Sequence, residues 1–122
     1  MQFVRLECLV TRLLMEPMKL DPEDFDKWLR ELRSDEVYRH FFERLGPEAL
    51  QHFERLVNDV ERFIDLLKSQ KLIDAMMYYG HLWKRIHDIC EAYADSTRSE
   101  LPIRLNAELV AILYCAIYTY LQ

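Results

Sequence analysis

The sequence predicts an all-α fold, a single domain built as a bundle of about five helices, and three observations lead there. Glycine and proline are scarce, two and four in 122 residues, and they stand between the apolar segments rather than inside them. Little interrupts helices, and few tight hairpin turns are available. Two long stretches step their apolar residues alternately by three and four: Leu50, Phe53, Val57, Val60, Ile64, Leu67, and then Leu72, Met76, Tyr79, Trp83, Ile86, Cys90, Tyr93. That is the helical period. Helix punctuation marks the joints, at Asp21-Pro22-Glu23-Asp24 and at Gly46-Pro47. A chain of this length holds one ordinary hydrophobic core, so residues 1–122 are read as one domain.

The first helix is expected over 3–15, where Phe3, Leu6, Val10 and Leu13 recur at helical spacing and Val4, Leu9 and Leu14 widen the stripe until Pro17 ends it. The second begins at Asp21, an N-cap acceptor followed by proline and two acids that face the positive end of the helix dipole. Its face is Phe25, Trp28, Leu29 and Leu32. Continuing that face would bury Asp35 and Glu36, so a kink or a short second helix, capped by Ser34, is expected toward Val37, Tyr38, Phe41, Phe42 and Leu45. The third and fourth helices carry the two long stripes, widened by Ala49, Leu56 and Phe63 and by Ala75, Leu82 and Ile89. They are joined around Ser69-Gln70-Lys71 as an antiparallel hairpin, because one rod through both would not fit a compact domain.

Residues 95–105 contain Ser96-Thr97-Arg98-Ser99 and Pro102 and are expected to form an extended loop. Asn106 then caps a last helix over 107–121 that is apolar almost all round, with Thr119 the one polar residue in its apolar run. Some 15 residues fall short of the roughly 20 that cross a bilayer. No membrane association is expected, and this helix is either central to the bundle or half of a subunit interface.

Several function classes drop out. Two isolated glycines cannot cradle a phosphate, which removes P-loop and Rossmann nucleotide sites and leaves no cofactor motif. A net charge of −5 repels nucleic acid and anionic membranes as a whole. Cys8, Cys90 and Cys115 are an odd set among apolar neighbours. They are expected to be buried thiols in a reducing, cytoplasmic setting, neither a disulfide framework nor catalytic thiolates. The segment 1–15 is read as part of the mature fold, because Arg5, Glu7 and Arg12 interrupt it. Metal ligation on a helix needs partners three or four apart. His81 and His87 are six apart, about 240° round the helix, so no metal is expected.

The polar candidates are few. His81, Arg85 and Asp88 fall within about 60° of one another on their helix, either an acid/base or phosphate-binding strip or a solvated salt-bridged face. Lys27, Arg30, Arg33 and Arg39 could form a nucleic-acid footprint, although Asp26, Glu31 and Asp35 are interleaved with them. Met76, Met77, Tyr78 and Tyr79 suit core and interface filling. The run Arg33-Ser34-Asp35-Glu36-Val37-Tyr38-Arg39-His40 places six residues between an arginine and a histidine, with a polar residue directly after the arginine. In this it resembles the motif of the HEPN group of small helical ribonucleases and nucleotide-binding domains, over eight residues and two fixed letters, though earlier in the chain than in that family. The resemblance implies RNA cleavage or nucleotide binding through Arg33 and His40.

A count of faces favours a different function. Two helices are apolar nearly all round, and a domain of this size encloses one such helix completely. The expectation is a non-enzymatic interaction or assembly module that forms a homo-oligomer or docks on another protein. Tyr114, Ile117, Tyr118 and Leu121 are its candidate interface, since tyrosine and large aliphatics fill interface cores. The HEPN-like enzyme with Arg33 and His40, and an accessory nucleic-acid-binding subunit using Lys27, Arg30, Arg33 and Arg39, are the alternatives.

Overall fold

In a computed structural model that describes residues 20–121, the chain forms five helices: α1 Pro22–Arg33, α2 Glu36–Leu45, α3 Pro47–Lys68, α4 Leu72–Thr97 and α5 Leu101–Tyr120. The described residues contain no strand, and the fold is an all-α bundle. The helix expected over 3–15 lies outside the described residues, as does Cys8.

Each boundary has a local cause. At the start of α1 the Asp24 carboxylate accepts from the Asp21 backbone N–H at 3.0 Å, and Pro22 takes the first helical position. The break after Arg33 falls as expected, but the cap of α2 is Asp35, whose Oδ1 accepts from the Tyr38 N–H at 3.0 Å. Ser34 instead closes α1, its hydroxyl donating to the Arg30 carbonyl at 2.9 Å. Gly46 sits at φ 124°, a conformation closed to side-chain-bearing residues, and hands over directly to Pro47 of α3. Helices α3 and α4 do form a hairpin. Gln70 takes a left-handed φ of 59° there, and the Lys71 N–H reaches back to the Leu66 carbonyl at 3.0 Å.

The loop expected over 95–105 is instead mostly helix, interrupted only at Arg98–Glu100. Ser96 and Thr97 turn their hydroxyls onto the Tyr93 carbonyl and so extend α4 rather than end it. Arg98 reverses the chain at φ 56°, Ser99 Oγ accepts from the Leu101 N–H, and Pro102 occupies the first turn of α5, where a missing N–H costs nothing. Asn106 therefore lies inside α5 and caps nothing. At 20 residues α5 is long and apolar enough to span a bilayer, which removes the length argument; half of it is buried in the bundle.

Helix α3 packs against all four of the others, while α5 lies along α3 and α4. The core between them takes Phe25, Leu29 and Leu32 from α1, Phe53, Val57 and Val60 from α3, Leu82 and Ile86 from α4, and Leu109, Ile112 and Leu113 from α5. Helix α2 is held by aromatic rings: Phe42 stacks on Phe53 at 5.3 Å and meets Tyr93 edge-on at 5.6 Å. The one buried charged residue described, Glu108, accepts from the Trp28 indole N–H at 2.8 Å and so ties α5 to α1.

The Tyr38 hydroxyl is buried without a hydrogen-bond partner, and burial, with the nearby Glu108 carboxylate, drives its pKa well above the usual phenol range. A desolvated hydroxyl with no partner costs free energy. Tyr38→Phe should therefore raise unfolding stability by about 1 kcal/mol in urea titration, and a fall of similar size would mean that the hydroxyl is bonded.

Candidate protein-protein interface

Helix α4 runs for 26 residues and buries only part of its apolar surface. The line that enters the core is Ala75, Leu82, Ile86 and Cys90. Met76 and Trp83, read from the sequence as members of the buried stripe, stand outside it, as does Leu72. The reason is register: residues one position along a helix differ by about 100°, so two parallel apolar lines share this helix and the core takes only one.

What remains outside is large. Ile73, Met77, Met76 and Tyr114 are exposed by 79%, 68%, 62% and 45% respectively, and Trp83 is also open to solvent. Trp83 lies flat on His87, ring centroids 5.7 Å apart, and His87 Nε2 meets Glu91 at 2.9 Å, so the indole is held in place. Met76 and Trp83 stand on the edge of α4 next to Tyr79, and the Tyr79 and Tyr114 hydroxyls lie close enough for Tyr114 to help raise the Tyr79 pKa, after burial. Tyr114 and Leu121 of α5, which packs against α4, are exposed as well.

Of the four interface residues named from the sequence, Tyr114 and Leu121 are exposed, while Ile117 and Tyr118 are half-buried, Ile117 against the core. On α4, Met76 and Met77, read from the sequence as core or interface filling, are exposed, and Ile73 and Trp83, not named there as interface candidates, are exposed with them. The signal that could have found them is the run Ile73, Met76, Met77, Gly80, Trp83, His87, a face of its own at helical spacing.

The basic residues are differently placed. Arg33 is held by Glu61 at 3.0 Å and Asn58 at 2.7 Å on α3, and Arg39 lies 3.8 Å from Glu54. His40 instead lines an open cleft of about 700 Å3 with Val37, Phe41, Arg44, Leu45 and Leu101. Arg33 and His40 thus have separate surroundings, and Lys27 and Arg30 are solvent-exposed on α1. Nor do Arg85 and Asp88 act together: Arg85 pairs with Asp59 of α3, which also accepts from the Tyr78 hydroxyl at 3.0 Å, while Asp88 pairs with Lys84 at 2.7 Å. That is a salt-bridged surface. Among the described residues no three of His, Cys, Asp or Glu gather as metal ligands would.

No protein-family model, curated protein or solved structure matches the chain.

Cys90 and Cys115 are both buried and free, and burial pushes their thiols up to about 12 and about 11. In a Cys8→Ser variant neither should react with Ellman's reagent at pH 8 until denaturant is added; prompt labelling of the native protein would show the core to be open at α4 or α5.

Proposed function

We propose that this protein is a non-enzymatic helical assembly module, which associates with a second copy of itself or docks on another protein through the exposed apolar face of α4 and the adjoining edge of α5. One observation carries the proposal: Ile73, Met76, Met77 and Trp83 stand exposed along one face of α4, and Tyr114 and Leu121 of α5, which packs against it, are exposed as well. Burying a large apolar side chain contributes about 1.5–3 kcal/mol, so a surface that leaves six exposed on two packed helices gains from being covered. Methionine adapts its shape to a neighbour, and tryptophan and tyrosine supply rigid contact area.

Catalysis and nucleic-acid binding have less behind them. Arg33 and Arg39 each face a glutamate, which removes much of their field, and His40 has an apolar cleft beside it rather than Arg33. The buried, protonated thiols suit a reducing compartment, in keeping with a cytoplasmic protein.

Light scattering on a sizing column is the test. The wild-type protein should run as an oligomer at micromolar concentration, and Met77→Asp combined with Tyr114→Asp should weaken association at least about a hundredfold while leaving helicity unchanged, since both side chains are outside the core. A monomer that binds the apolar dye ANS would direct the face to a foreign partner. A monomer that binds none would overturn the proposal.

A further inference from the structure

Gly80 lies in the interior of α4, on the same face as Ile73, Met76, Met77 and Trp83. A helix-interior glycine costs roughly a factor of five in the folding equilibrium relative to alanine. Nothing among the described residues requires it. The only glycine with positive φ among the described residues is Gly46, so the Gly80 backbone is one that alanine adopts freely, and a Cβ built at Gly80 would meet nothing within 4 Å. The missing side chain leaves a notch in the middle of an apolar ridge, and a notch of that kind lets another backbone come close.

We propose that the notch is filled by a second copy of this chain, its α4 laid antiparallel across the first so that Gly80 meets Gly80 on a twofold axis. This rests on the assembly reading above and names its partner and its point of contact. A twofold crossing at residue 80 sets positions equally far on either side opposite each other. Met77 then faces the second copy's Trp83, Ile73 faces its His87, and Met76 lies along the methylene stem of its Lys84. Ile73, Met76, Met77 and Trp83 thus all find cover, and the notch meets its own likeness rather than a protruding side chain.

Charge favours the same arrangement. Glu91, exposed and on the same face of α4 as Gly80, comes opposite the amino end of the second copy's α4. Its carboxylate there faces the positive end of the helix dipole. Parallel packing would set Glu91 against Glu91. The ends of α4 are complementary to themselves only when one copy is reversed.

The experiment uses the full chain with Cys8→Ser. Gly80→Cys places one thiol of each copy on the axis, and oxidised glutathione, accepting the two electrons, should convert it to a covalent dimer. The rate should exceed that of Asp95→Cys, an exposed position 15 residues from the crossing, by about a hundredfold, because the paired thiols are held at high effective concentration. Gly80→Ala should act in opposite directions on two readouts: the diluted monomer unfolds at higher urea, while dimerisation weakens about tenfold or more, because two added methyl groups hold the helices apart. A dimer that Gly80→Ala leaves unweakened, with Gly80→Cys no faster to cross-link than Asp95→Cys, would overturn this crossing and leave assembly through another part of the face intact. A wild-type chain that stays monomeric at every concentration would overturn the inference outright.

Discussion

Helix α3 has to satisfy four neighbours at once, and its apolar arc decides where each of them goes. Phe53, Val57, Val60 and Ile64 make the seam, while Ala49, Leu56, Phe63 and Leu67 broaden it until the helix has little free surface apart from one charged strip. That strip is also used: Asn58 and Glu61 hold Arg33 of α1, Glu54 draws Arg39 of α2, and Asp59 takes Arg85 and Tyr78 of α4. Surface ion pairs of this kind are individually worth little, typically under about 1 kcal/mol. Their effect here is on register, since each one fixes a different helix against α3.

With α3 fully engaged, α4 and α5 have to share what cover is left. The core accepts the narrow Ala75-Leu82-Ile86-Cys90 line of α4 and the inner face of α5, and packing is close enough that no second line can follow. The apolar side chains of α4 that remain outside are therefore a geometric consequence of a small domain with too many stripes, and not a loose core. The helix that looked most in need of cover in the sequence, α5, is the better buried of the two.

The sequence was legible where the chemistry was local. Asp21-Pro22, Gly46-Pro47 and the three-four alternation of α3 gave helix starts, stops and faces that the structure repeats. It misled where one residue type has two uses. Ser96, Thr97 and Ser99 are polar and common in loops, yet two of them bond back onto their own helix and one accepts from the first N–H of the next. For the candidate interface, Tyr114 and Leu121 could be read from a surplus of apolar residues. The α4 half could not be separated, because a wide stripe in sequence does not say which of its edges the neighbours will reach.

The chain carries two tryptophans, and their settings differ as much as two indoles in one small domain can. Trp28 is buried and donates its N–H to a carboxylate in the core, while Trp83 lies in solvent against an imidazole. Their fluorescence accordingly divides the molecule into two reporters, one for the integrity of the bundle and one for whatever comes to rest on its surface. The wavelength and quenching of the second can change while the first stays still, which gives this protein an intrinsic optical separation between folding and association.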